Sequence, residues 1–505
     1  MFDYFSDKIM YLRTSMNQEY FKTRILLISV FVLFTIIYCL ISLVNHYQFK
    51  TFALDLGMFN QALYSFAHFK NAYLTLGIDG VEMPFLATHF SIILIFLSPL
   101  YYLFGSYALL VIQIAAILFG GYGVYLFAKD QIPSSSNIPL IILLQYLSIW
   151  GIFSALSFDF HCNVIGAMMV IWFIYFLEKR KLIQASIFLI LVLLSTETMS
   201  IWALFIIIGL IIKNWKVYRK EYFKFEVPAA IICLIYGFVV IVIIMPSLQG
   251  AANNLQFGRY SHLGNSYADI LLTIIQNPID SITLLYKNTS TYPIYDGIKQ
   301  ELFKMVLVSG GIALLIRPVY LLMLIPIFAQ KLISNDYGLW GINGQYSIEF
   351  VPILSFATIN LIQHTKKYKM ALAIFIVFTT LISSVSSLDH RVSKWYNKTN
   401  SRFYSNAHYK SDLDIKKITR SLMVIPADSK ISVTSCLAPH LAFREKIYHF
   451  PIIKDADYIA LVTLPRDSYP LSKEDFDKRV SELRKSNLYR TILDENNLII
   501  FERIK

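Results

Sequence analysis

The chain has 505 residues, of which 56% are hydrophobic and only 15% charged, with a mean hydropathy of +0.54. Soluble domains carry nearer a quarter charged residues, so the composition excludes a water-soluble globular protein and indicates a multi-pass helical membrane protein. The net charge of +12 is not the footprint of a nucleic-acid-binding protein, because the basic residues gather in short loops between apolar runs, as the positive-inside rule expects.

Residues 1–24 are mixed and charged, with Lys8, Arg13, Lys22 and Arg24, and are expected to be cytoplasmic. The apolar run 25–45 that follows lacks a small-residue cleavage site, so it reads as a first span that also serves as the insertion signal. Further charge-poor runs fall at 107–128, 138–157, 163–177, 182–195, 199–212, 227–246, 303–316, 319–333, 346–363 and 370–388. Basic clusters at 179–181, 213–224 and 366–369 should all face the cytoplasm. That condition decides two ambiguities. Counting the short run 90–104, which contains Pro99, as a span would send every later cluster outside, so it reads as re-entrant or interfacial. The stretch 182–212 keeps both basic ends inside only as a hairpin turning at Ser195-Thr196-Glu197-Thr198. About eleven spans result, within a membrane region 25–388.

Two outer loops follow from this topology, 46–106 and 247–302, the second long, polar and rich in Asn, Tyr and Ser. From residue 389 the composition becomes that of a soluble domain, with expected strands at 430–434, 458–462 and 497–502 and an amphipathic helix at 473–485. A small extracytoplasmic α/β domain over 389–505 is the expectation. The cysteines Cys39, Cys162, Cys233 and Cys436 are scattered without metal-binding spacing.

The ionisable groups fall on the outer side. Asp55 lies in Leu54-Asp55-Leu56-Gly57, just past the first span, and His89 precedes Phe90-Ser91-Ile92 in the same loop. In Phe158-Asp159-Phe160-His161 an acid and an imidazole two residues apart project to one side of an extended strand. They are candidates for a divalent-metal site, with Mg or Mn as the ion, although two ligands are too few to define one. Glu197 tips the hairpin, Arg259 lies in the second outer loop, and Tyr346 and Glu349 lead into a late span. Charge near a bilayer is costly, so its collection on one side marks a functional region. For each residue the alternative is plain: a helix cap for His89, a polar span cap for Asp159 and His161, surface exposure for Asp55 and Glu197.

These motifs resemble those of the uncharacterised polytopic family catalogued as domain of unknown function 2079, which is grouped with the GT-C superfamily of lipid-carrier-dependent glycosyltransferases. The resemblance rests on 54–61, on His89-Phe90-Ser91 with Pro99-Leu100-Tyr101, on 158–161, on 346–352, and in the tail on 425–428, Pro439-His440-Leu441 with Arg444, and Phe450-Pro451 with 456–458. Glu197 falls where the family carries an acid, although the Ser-Thr before it departs from the expected basic–acidic pair. The resemblance implies a GT-C-like membrane domain and an enzyme of the cell membrane that moves a monosaccharide from a polyprenyl-phosphate carrier to an envelope glycan, lipid or protein. It assigns Asp55 as general base, His89 and Arg259 to phosphate, and Asp159, His161 and Glu197 to the acceptor or metal region; Tyr346 and Glu349 join them as substrate-binding candidates. The tail would bind or orient the acceptor. The alternative is a transporter or flippase of a lipid-linked or small polar substrate, against which the asymmetric loops, the terminal soluble domain and the lack of mid-span charge all count.

Overall fold

The computed structural model describes residues 2–504 apart from 134, 136, 219–220, 250–257 and 395. Parts of the basic cluster 213–224 and of the loop 247–302 therefore lie outside the described residues.

Every apolar run folds as helix. The helices are Phe2–Tyr47, Ala108–Gln131, the pair Ile138–Ser148 and Trp150–Leu156, Cys162–Glu178, Leu182–Ser195, Met199–Tyr218, Glu226–Phe238 continued to Gln249, the broken helix Ile298–Val306 to Ile312–Ile316, Pro318–Leu332, Phe350–His364 and Lys369–Asp389. Among the described residues five stretches are long and apolar enough to cross a membrane, or six when the pair bent by 43° counts as one span. Four more are apolar but of 10–17 residues. At 1.5 Å per residue such a helix is at most about 25 Å long, short of a hydrocarbon core of about 30 Å. The eleven runs read as spans are helical, but length and composition qualify only five or six stretches as crossings.

The ambiguous run 90–104 forms short helical pieces, Ile93–Leu97, Ser98–Leu100 and Tyr101–Phe104. Gly105 then takes φ 54° and ψ −136°, a backbone that only glycine adopts without strain, before the helix from Ala108 begins. The break separates this run from the long helix, although the two form one apolar stretch from Ile93 to Gln131. The hairpin reading of 182–212 corresponds to two helices with Thr196, Glu197 and Thr198 between them.

Residues expected on the cytoplasmic side contact one another. Lys179 pairs with Asp130 at 2.6 Å, Arg180 with Glu226, and Lys213 with Glu178 at 2.9 Å, while Gln363 donates to Gln131 at 2.7 Å. The tail instead packs on the first loop. Lys446 and Lys454 meet Glu82 at 2.5 and 3.1 Å, and Lys70 meets Glu445. First loop and tail thus share one side, which requires an even number of crossings between them. The eleven-span reading meets that condition.

The first loop carries two short paired strands, β1 (Tyr73–Leu74) and β2 (Met83–Pro84). The tail holds β3 (Ile431–Val433), β4 (Ile447–His449), β5 (Tyr458–Val462), β6 (Tyr489–Glu495) and β7 (Leu498–Arg503), in sheet order β4-β3-β5-β7-β6. β3 lies parallel to β4 and β5, and the remaining pairs are antiparallel. Strands β4 and β6 were not anticipated from the sequence. Side chains alternate across the sheet. Ile459, Leu461, Ile499 and Phe501 pack on Phe476, Val480 and Leu483 of helix Lys473–Arg484. Ala460, Val462 and Ile500 face the other way, into a core shared with Phe49, Ala53 and Leu76 of the first loop.

Topology has a direct check. Cysteine accessibility should place positions 215 and 367 inside and the tail beyond 389 outside; a tail that reacts only from the cytoplasm would carry the first loop, which packs on it, to the same face and put the acidic cluster on the wrong side.

Candidate active site

The site is built on the chain that leaves the first helix. Phe52 is extended, with φ −129° and ψ 162°, and Ala53–Gly57 then form one π-helical turn carrying Asp55. Amides at the start of a helix lack partners within it. Here side chains distant in sequence supply them. The Asp159 carboxylate accepts from Phe52 N at 2.8 Å and Leu56 N at 3.3 Å, and Ser435 Oγ of the tail accepts from Ala53 N at 3.1 Å. The turn that presents Asp55 is thus gripped from the membrane region and from the tail.

Asp159 does its part from a left-handed backbone, φ 45°, which aspartate tolerates better than most residues. The side chain of Gln113 fixes this stretch twice, donating to Asp159 O at 3.0 Å and accepting from His161 N at 3.1 Å. His161 Nε2 then lies 2.9 Å from Asp55 Oδ1. The two residues of the Asp-X-His motif both reach the segment 52–56, with different tasks: Asp159 holds the backbone and His161 meets the acid. His161 is buried against Phe158, whose ring stacks on it at 5.7 Å, and against Phe59 at 5.8 Å. Its side chain is 8% exposed and that of Asp55 27%, so Asp55 is the member open to a substrate.

Burial, and secondarily the neighbouring Asp55 carboxylate, push the Asp159 carboxyl well above its usual range. His89, stacked on Phe59 at 5.6 Å, is lowered by burial, with Glu197 opposing that shift and His161, Asp55 and Arg259 also within electrostatic reach. Glu197 is buried at the tip between its two helices and accepts from Phe90 N at 3.1 Å and from Thr196 Oγ1 at 2.7 Å. It therefore anchors the residue next to His89.

The late-span residues close the other side. Arg259 pairs with Asp336 at 3.1 Å and hydrogen-bonds the Tyr346 phenol, whose electrostatic neighbours include Asp55. Buried Glu349 accepts from Asn163 at 2.9 Å, and Lys331 donates to Gly341 O and Tyr346 O, both at 2.9 Å. All eight residues expected from the sequence thus belong to one connected region. Five contributors were not anticipated, Gln113, Asn163, Lys331, Asp336 and Ser435. Gln113 carries the one side-chain amide within the run 107–128, which was its signal; Asn163 and Ser435 gave none.

The donor atoms do not fit a divalent cation. Asp159 Oδ2 is taken by two amides, His161 Nε2 faces Asp55, and among the described residues no three His, Cys, Asp or Glu groups are placed to hold an ion. An acid that can accept a proton, an imidazole that orients it and an arginine within electrostatic reach make an arrangement suited to base-assisted chemistry at a phosphorylated substrate.

The chain belongs to the family described as Predicted membrane protein (DUF2079), which it matches over residues 45–500. The oligosaccharyltransferase of Archaeoglobus fulgidus, solved with a disulfide-tethered acceptor peptide containing the NVT sequon, is similar over 90% of this chain and 68% of that one, at 11% identity and a TM-score of 0.42. A similarity of that size carries no inference about activity. No curated protein matches the chain.

Proposed function

We propose that this family member is a membrane glycosyltransferase of GT-C type, moving a monosaccharide from a polyprenyl-phosphate carrier to an envelope acceptor on the outer face. The observation that carries the reading is the Asp55–His161 contact of 2.9 Å on a turn gripped by Asp159 and Ser435. A carboxylate held this firmly, partly exposed and backed by a buried imidazole, is suited to taking a proton from an attacking hydroxyl. The hydrogen bond between His161 Nε2 and Asp55 Oδ1 fixes the orientation of the acid.

In this reading the acceptor oxygen attacks the anomeric carbon of the sugar and the bond from that carbon to the phosphate oxygen breaks. The hydroxyl proton passes to Asp55, and the departing phosphate keeps the bonding electron pair. Arg259 meets the charge that develops there, since a guanidinium matches phosphate geometry. His89 and Glu197 shape the site beside the base. Glu349, with Asn163, lies on the flank where the acceptor or sugar hydroxyls would be oriented.

The test uses purified protein in lipid with polyprenyl-phosphate-linked labelled monosaccharides and an envelope extract. Label should pass to the acceptor fraction with release of one polyprenyl phosphate per sugar. Label that stays on the carrier across hexose and pentose donors would overturn the reading. His89→Ala and Glu197→Gln should each lower turnover by about tenfold, as expected of groups that position rather than take the proton.

A further inference from the structure

We infer that the apolar cavity between the second outer loop and the helices 298–316 and 318–332 holds the isoprenoid chain of a lipid phosphate, with the phosphate at the end nearest Arg259. The inference rests on the proposed carrier-dependent reading and adds a place for the carrier.

The cavity has a volume of about 660 Å³. That lies within the size range of ligand pockets in general. One wall is the helix pair Tyr267–Gln276 and Pro278–Leu284, contributing Ile274, Ile282 and the following Leu285. Opposite it, Phe303 and Phe328 stack at 5.6 Å, and Leu314 and Ile325 fill in beside them. Ser281 is the one hydroxyl or charged side chain among the lining residues described. Such a lining offers no partner to a polar ligand, whose buried groups would each lose hydration uncompensated. A hydrocarbon chain loses nothing there and gains burial.

An apolar recess beside a bilayer fills with some chain, and the ends of this one indicate which. Its lining runs on to Leu332 and Ile333, at the end of the helix Pro318–Leu332. Asp336, three residues beyond Ile333 and so at most about 11 Å away, is the ion-pair partner of Arg259. Asn335 N donates to Arg259 O at 2.9 Å, which ties the arginine's backbone to the same corner. Buried Lys299 donates to Leu284 O at 2.5 Å and Leu332 O at 2.8 Å, clasping the two walls together at this end, with its ammonium 4.2 Å from the Trp340 ring centroid. His262 hydrogen-bonds the backbone of Ile333. Arg259, with Lys299 buried behind it, stands at one end of an almost wholly apolar slot and complements a molecule with an anionic head and a hydrocarbon tail. Arg259 also reaches His89 and Tyr346 electrostatically, so a phosphate there adjoins the turn that carries Asp55.

The experiment uses the full chain in phosphatidylglycerol nanodiscs with a polyprenyl phosphate bearing a diazirine in its isoprenoid chain. Crosslinks should concentrate in peptides spanning 274–285, 303–315 and 321–333. Excess unlabelled polyprenyl phosphate should remove them, whereas excess phosphatidic acid should not. Ala329→Trp, which fills the cavity from one wall, should weaken retention of the probe by about tenfold or more. Labelling spread evenly over the lipid-facing helices, or equal competition by phosphatidic acid, would overturn the assignment, and needs no variant to fold. Crosslinking at the cavity without sugar transfer would leave the lipid site standing and remove the glycosyltransferase reading, so the two failures are distinct.

Discussion

Asp55→Asn is expected to lower sugar transfer by about 10²–10⁴-fold, the usual cost of removing a general base. The amide keeps the shape of the side chain and can still accept from His161 Nε2, so the 2.9 Å contact and the turn Ala53–Gly57 should persist. What disappears is basicity. Because Asp55 contributes to raising the Asp159 carboxyl, its neutralisation should also let that carboxyl ionise at lower pH than in the parent protein. The shift follows from removing a like charge and not from loss of fold. The measurement is incorporation of label from the polyprenyl-phosphate donor, at matched protein level, with retention of the donor lipid measured alongside. Unchanged retention with lost transfer identifies the proton acceptor. Full transfer by the variant would take Asp55 out of the chemistry, and the companion His161→Gln would then be the place to look for the base.

Which parts of this site could be read from the sequence follows from the cost of charge near a membrane. Asp55, Asp159, His161 and Glu197 stand out because each is an ionisable group in apolar surroundings, where it must have a partner or a task. The partners themselves were not legible. Asp55 and His161 are 106 residues apart, and Ala53 and Ser435 are 382 apart, distances over which no local pattern acts. Asp159 shows the limit well: its chemistry as an acid was plain, yet it serves by accepting two backbone amides, and nothing in Phe-Asp-Phe-His says so. In the tail, β3 and β5 were marked by apolar runs bounded by turns. The three-residue β4 contains Tyr and His and is a strand only because β3 lies beside it. Span number was the hardest quantity, since helices of 14 to 17 residues read as spans by charge and as too short by length.

Removal of the tail after Asp389 should abolish transfer and also expose the first loop to protease, and the second effect decides why the first occurs. If the tail served only to bind the acceptor, the base would remain in place, and the truncated protein would still hydrolyse the donor slowly with water. The contacts argue otherwise. Without the tail, Phe49, Ala53 and Leu76 lose the apolar core they share with Ile431, Val433 and Val462. Ala53 N loses Ser435 Oγ, Asn60 loses Pro439 O at 3.0 Å, and Thr75 loses its bonds with Ile447. Each hydrogen bond so exchanged for water removes about 0.5–1.5 kcal/mol, and with the shared apolar core gone as well a single turn is not held in place. Donor hydrolysis should therefore fall together with transfer, and cleavage within 48–82 should accelerate. Ser435→Ala isolates one of these contacts and should lower both activities in the same proportion, whereas Arg490→Ala, on the far edge strand β6, should change neither. Preserved hydrolysis with a protected loop would return the tail to acceptor binding alone.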